Sequence, residues 1–156
     1  MSRPLPFPIT AGSLVRRNEA LEFLRLLWAI DHGLQRRSKR MERVIGVTGV
    51  QRLVIRVLAQ FPAITPGQLA GVLHLHPSTI TGVVQRLQRR GFVLRRIDPR
   101  DKRRWRLALT PRGRGIHSRR GGTLEGELER VLTRLPPPEL AAAWRVLEAL
   151  GDQLAC

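Results

Sequence analysis

Residues 65–109 read TPGQLAGVLHLHPSTITGVVQRLQRRGFVLRRIDPRDKRRWRLAL, and the change of period along them sets the fold. Thr65 followed by Pro66 is a helix start, a hydroxyl cap with proline at the first helical position. Leu69, Val72 and Leu73 are predicted to face inward. Only LHLH separates this short helix from the next, residues 77–90, which again opens on a proline, Pro77. There Ile80, Val83, Val84 and Leu87 recur at helical spacing and give one buried face; Gly91 stops the helix. From Phe92 the period falls towards two. Phe92 to Ile97 is an apolar, β-branched run, and Trp105, Leu107 and Leu109 alternate with Arg104, Arg106 and Ala108. Asp98-Pro99 begins the turn between these runs. The order is helix, tight turn, helix, hairpin: a helix-turn-helix with a β wing.

Working outward, Leu53, Val54, Val57 and Leu58 mark a helix after Thr48 that ends before Phe61-Pro62. Further upstream, Leu14, Leu21, Leu24 and Trp28, with Leu27, Ile30 and Leu34, form the stripe of a long helix from about Ser13, its expected cap, to Met41. Pro4, Pro6 and Pro8 make residues 1–12 an extended arm. Downstream, Thr110-Pro111 caps another helix, weakened by Gly113, Gly115, Gly121, Gly122 and Gly126 and expected to kink or fray at its start. Pro136, Pro137 and Pro138 break the chain before a last helix through Trp144, Leu147 and Leu150. The expected fold is mainly α with a small β-hairpin wing. Its parts are a winged helix-turn-helix over 47–109 and a helical dimerisation domain from 13–46 and 110–156.

The 156 residues carry 28 Lys and Arg against 12 Asp and Glu, net +16. Residues 51–120 hold 16 of those basic side chains and 2 acidic ones, whereas residues 121–156 hold 3 and 6. A positive field concentrated on the helix-turn-helix and wing is the footprint of a polyanion; a merely solvated arginine-rich surface is the alternative reading of charge alone. No apolar run approaches the roughly 18 residues of a membrane span. No signal-peptide core is visible at the start. One cysteine, Cys156, excludes an intramolecular disulfide framework and fits a reducing, cytoplasmic setting.

On the helix at 77–90, about 100° per residue puts Ser78, Gly82, Gln85 and Arg89 opposite the apolar stripe, flanked by Thr79, Thr81 and Arg86. Short donors and acceptors at its N-terminal half can approach base edges, and guanidinium groups at its C-terminal half reach phosphates and guanines. An ordinary amphipathic helix with a polar face is the plainer reading. The hairpin weighs against it. DPRDKRRWR, residues 98–106, places five basic side chains at a turn, where desolvation would forbid packing in a core. Arginine suits the negative potential of a narrow minor groove.

The stretch from Gly46 to Gly113, above all PSTITGVVQRLQRRG and DPRDKR, resembles the DNA-binding lobe of the multiple-antibiotic-resistance regulator (MarR) family, and residues 13–154 follow that family's plan. The resemblance implies a homodimeric, ligand-responsive transcriptional regulator, a repressor, with two winged lobes on a pseudo-palindromic site of double-stranded DNA. It implies that Asp98 orients Arg100 towards the minor groove, with Arg103 the second basic position of the wing motif; with the turn pre-set by Pro99, the Asp98 carboxylate is expected to hold the Arg100 guanidinium by a charge-assisted bond. Gln85 departs from the aspartate common in the family. The expected DNA-binding set is His76, Pro77, Ser78, Thr79, Thr81, Gly82, Gln85, Arg86, Arg89, Asp98, Arg100, Lys102, Arg103 and Arg104. His76 is expected to cap its helix. The family's effector location, between dimerisation helices and winged lobe, makes Trp28 and His32 the expected lining residues, with plain dimer core the competing role for Trp28.

His74 and His76 do not share one helical face and have no carboxylate or cysteine beside them, so neither a metal nor any other cofactor is expected. No nucleophile–base pair, P-loop or dinucleotide fingerprint is present, so catalysis is not expected. Two other classes stand open: a sequence-independent architectural DNA binder, and a winged helix that serves another protein. Specific over non-specific affinity at fixed salt separates the first from a regulator. Salt-dependent DNA binding excludes the second.

Overall fold

The computed structural model describes residues 16–154; the expected arm at 1–12, the cap at Ser13, Leu14 and Cys156 lie outside the described residues. The chain divides into two units, the first ending at Arg36 and the second beginning at Arg37. Helix α1 (Arg16–Ile45) begins in the first. Its stripe is exposed at Leu21, Leu24, Trp28 and Ile30 in the single chain. Gly46 ends it in the left-handed region, φ +87.

The second unit continues with α2 (Gly49–Gln60), α3 (Pro66–Val72), α4 (Pro77–Arg89), β1 (Val93–Ile97), β2 (Trp105–Leu109), α5 (Pro111–Ser118), α6 (Leu124–Leu132) and α7 (Pro137–Leu154). Thr48 with Gln51, and Thr65 with Gln68, close full capping boxes at the starts of α2 and α3, so each helix has its first free N–H groups satisfied locally. The strands pair antiparallel with Ile97 opposite Trp105 and Val93 opposite Leu109. The turn before α3 adds to the hairpin: Leu107 donates its N–H to the Ile64 carbonyl at 2.9 Å. Ile55, Leu69, Ile80, Leu87 and Leu107 are fully buried in one core that also takes Met41 and Ile45 from the end of α1. That core fixes α4 against α2, α3 and the hairpin and turns its other face outward.

Four expectations change. Val72 faces solvent, and Ala70 takes the inward place in α3. The helix expected from Pro111 onward is two helices. Arg119 is extended and Gly122 left-handed at φ +70, and Thr123 then caps α6 by accepting from the Gly126 N–H. The Pro136–Pro138 run supplies the start of α7 as well as the break, since Leu140 donates to the Pro136 carbonyl. Nor is α5 frayed at its glycine-rich start. Thr110 caps it from the Gly113 N–H, and Gly113 is buried against the Phe92 carbonyl.

A buried cation joins α2 to the α5–α6 connection. Arg52 is 2% exposed. It donates to Glu125 Oε1 at 2.7 Å, to the Arg119 carbonyl at 2.6 Å and to the Ile116 carbonyl, so its charge and two helix-end carbonyls satisfy one another. Beside it lies His117, whose Nδ1 is buried without a hydrogen-bond partner. Burial first, then the charges of Arg56, Arg52 and Arg120, hold its imidazole below the ordinary histidine pKa against the opposing Glu125. The unfolded chain therefore takes up this proton first, and stability falls as pH drops below about 6.5. Urea midpoints at about pH 7.5 and about pH 5.5 check this, and His117→Gln is expected to shrink the difference. An undiminished difference in His117→Gln would assign the acid sensitivity elsewhere.

Candidate nucleic-acid interface

Helix α4 begins at an unusual cap. His76 Nδ1 accepts the Ser78 N–H at 3.2 Å and lies 2.6 Å from Ser78 Oγ. A ring nitrogen here does what a Ser or Asp oxygen does at most helix starts, and Pro77 fills the first helical position. Ile80, Val83, Val84 and Leu87 are all buried. Opposite them, Ser78, Thr79, Thr81, Gln85, Arg86 and Arg89 are exposed and Gly82 half-buried. The Thr81 hydroxyl donates to the Pro77 carbonyl at 2.9 Å, so its oxygen faces outward as an acceptor, whereas the Gln85 amide offers both donor and acceptor.

Of the basic side chains ending α4, one is structural. Arg90 donates to the Gly46 carbonyl and to Gln51 Oε1, and its guanidinium lies 5.0 Å from the Phe92 ring centroid. Arg112 lies 4.9 Å from the same ring and donates to the Arg90 carbonyl at 3.1 Å. Arg90 thus locks the C-terminus of α4 to the α1–α2 turn, and leaves Arg86 and Arg89 as the exposed cations of the helix.

The wing is pinned at its base. Asp98 is 5% exposed. Its Oδ1 accepts the main-chain N–H of Arg100 at 2.9 Å, and its Oδ2 accepts Arg106 Nε at 2.6 Å. The expectation that Asp98 holds the Arg100 guanidinium is corrected: the carboxylate fixes the backbone at residue 100 and pairs with a different arginine. The Arg100 N–H and then Arg106 hold the Asp98 pKa below the carboxylate norm, so the pin is ionised throughout the neutral range. At the tip, Asp101 Oδ1 accepts the Arg103 N–H at 3.0 Å and its Oδ2 pairs with Arg104 Nε at 3.1 Å. Arg100, Lys102, Arg103 and Arg104 are exposed. The partner of Asp98 that the sequence reading left out is Arg106. Arg96 faces it across the ladder, and Asp98, two residues on from Arg96, is its diagonal neighbour on the same face, so the pairing register was the available signal.

Trp28, 67% exposed, and His32 stand one turn apart on the part of α1 that belongs to the first unit. Among the described residues no three His, Cys, Asp or Glu side chains cluster as metal ligands, and no helix is long and apolar enough to cross a membrane.

A helix with a buried stripe and a face of short polar groups, beside a pinned basic hairpin, defines a winged helix-turn-helix DNA-binding transcriptional regulator. The sequence profile of the MarR family matches residues 47–105. An HTH-type transcriptional repressor of Mycobacterium tuberculosis is 30% identical over 69% of this chain and 78% of its own length. The multiple antibiotic resistance protein MarR of Salmonella typhimurium is 30% identical over 74% of this chain and 83% of its own. The chain belongs to the MarR family. Among solved structures, the PcaV transcriptional regulator of Streptomyces coelicolor, in complex with its natural ligand, superposes with a TM-score of 0.69 at 25% identity, over 90% of this chain and 97% of that one. The MepR–DNA complex of S. aureus shares the fold, TM-score 0.72 at 19% identity, over 85% of this chain and 97% of that one. The relatives are named as regulators and not as enzymes.

Proposed function

We propose that the protein is a sequence-specific, homodimeric repressor that reads a pseudo-palindromic operator in double-stranded DNA and is released by a small-molecule effector. The observation that carries this reading is the exposed face of α4, where Ser78, Thr79, Thr81 and Gln85 stand clear beside the basic wing. Small polar groups read base edges; a purely architectural binder needs only the cations. The expected division of labour is α4 in the major groove with Thr81 and Gln85 at base edges, Arg86 and Arg89 on phosphates, and the wing tip in the flanking minor groove. Support for the dimer comes from α6 and α7, which have no buried residue in the single chain and expose Leu128, Val131, Trp144, Val146 and Leu147. An apolar surface of this kind calls for a partner. In such a dimer Trp28 and His32 are the candidates for an effector site.

Selection of DNA from a random pool by the purified protein, followed by alanine variants, tests the reading. Thr81→Ala and Gln85→Ala are expected to relax preference at particular base pairs, by about 1–3 kcal/mol for each good contact. Arg86→Ala and Arg89→Ala are expected to weaken all sequences alike and to lower the salt slope by about one each. Retained sequence preference at 81 and 85 would defeat this placement, and no selected motif would favour the architectural alternative. Sedimentation is expected to show a dimer; a folded monomer at micromolar concentration overturns that part.

A further inference from the structure

The two strands of the wing run past the core they pack on. Directly opposed residues of an antiparallel pair share a face, as do residues two apart along a strand. Val93, Arg95 and Ile97 therefore lie on one side with Leu109, Leu107 and Trp105. At Val93 and Leu107 that side is buried in the core. At the outermost rung, Ile97 opposite Trp105, it stands in solvent: Ile97 is 53% exposed and Trp105 46%. Immediately beyond this rung comes the turn with exposed Arg100, Lys102, Arg103 and Arg104. A hairpin that met phosphate alone would need only cations at this height, as its other side has in Arg96 and Arg106. A large apolar pair under a cationic tip fits a surface with both C–H groups and negative charge.

Trp105 also lines a cleft of about 300 Å³ with Arg95, Arg104, Thr65 and Pro66. Arg95 is the next residue inward from Ile97 on the same side. Its Nε is buried without a hydrogen-bond partner, and no carboxylate pairs with its guanidinium among the described residues. An unmet buried donor is costly until an acceptor arrives. A deoxyribose presents C–H groups at its groove edge and carries a phosphate on either side. We propose that the outer rung and this cleft hold one sugar–phosphate unit of the DNA strand bordering the minor groove, the deoxyribose packed on Trp105 and Ile97 and its phosphate on Arg95. The wing then reads the sugar as well as the potential of the groove. A 2′-hydroxyl on that sugar is a polar group pressed against an apolar rung with no partner, so the site favours DNA over RNA at the flank. This inference rests on the DNA-binding reading above and adds Trp105, Ile97 and Arg95 to its contacts.

The experiment uses the full chain and an operator duplex selected by the parent protein, titrated over a range of salt. Trp105→Ala is expected to weaken binding about tenfold with the salt slope unchanged, because it removes apolar contact and no charge. Trp105→Phe is expected to keep most of the affinity. Ile97→Thr, which keeps the branched side chain that a strand favours, is expected to lose about threefold. Arg95→Met, which keeps the apolar stem, is expected to lower the salt slope by about one. Single ribonucleotides stepped through the operator flanks are expected to weaken the parent about tenfold at the contacted position and Trp105→Ala clearly less. Parent-like binding by Trp105→Ala, a changed salt slope in that variant, or an equal ribonucleotide penalty in the two proteins would each overturn the proposal. So would altered assembly of Trp105→Ala in sedimentation without DNA, which would give the rung to a second copy. A parent protein that binds no DNA would overturn the regulator reading and this inference together; a parent that binds and is indifferent to Trp105 overturns this inference alone.

Discussion

Gly113→Ala is expected to destabilise the protein by about 3–5 kcal/mol, the sum of overpacking and of the hydrogen bonds it displaces. Gly115→Ala, two residues along the same helix, is expected to be neutral or to stabilise by about 0.5–1 kcal/mol. A Cβ on Gly113 would fall far inside contact distance of the Phe92 carbonyl oxygen, 3.1 Å from the carbonyl carbon and 3.2 Å from Leu109 Cδ2. The oxygen cannot retreat cheaply. It accepts the Thr110 N–H at 3.1 Å and the Thr110 hydroxyl at 3.3 Å, and that hydroxyl also caps α5. Moving α5 off the end of β1 therefore breaks the cap together with the strand-to-helix joint. A Cβ on Gly115 meets nothing within 4 Å, so only the gain in helix propensity remains. Equilibrium urea unfolding of both variants checks the pair. Equal effects at the two positions would mean that α5 does not pack on the Phe92 carbonyl.

The same glycines show what the sequence could not say. Read along the chain they are helix weakeners, and propensity alone predicts a frayed start to α5. Gly113 is there because a carbonyl from a residue 21 positions earlier sits against it, a contact that no local pattern announces. Arg52 is alike: at helical spacing it is one more arginine, and only the fold brings Glu125 and two carbonyls to it. Elements whose period is set by one continuous buried face were readable. The stripe on α4 and the alternation of β2 needed only their own residues, and they place the candidate interface. Val72 was misread because a seven-residue helix has too few turns to separate its inner face from its edge. The Asp98 contacts needed the hairpin register as well as the motif. The bond expected from Asp98 to the Arg100 guanidinium goes instead to the Arg100 main chain and to the Arg106 guanidinium.

That distinction sharpens the other large effect, on DNA binding. Asp98→Ala raises the net charge by one beside a polyanion, and long-range electrostatics alone predicts tighter binding. The geometry predicts weaker binding, by about tenfold on an operator selected by the protein, comparable with the loss of a positioned contact. Asp98 bonds the Arg100 main chain and the Arg106 guanidinium at once, so its removal frees the base of the hairpin and leaves the tip to pay ordering entropy on binding. Arg100→Ala is expected to lose at least as much, most on sites with A·T-rich flanks, whose narrow minor groove favours a guanidinium. Asp98→Asn separates the two bonds. Its amide oxygen can still accept the Arg100 N–H, but the charge that holds Arg106 is gone, so its affinity is expected between those of Asp98→Ala and the parent. Titrations at one salt concentration, with sedimentation to confirm that assembly is unchanged, measure all three. Tighter binding by Asp98→Ala would leave the wing a diffuse basic patch, and the carboxylate at its base would then serve the fold alone.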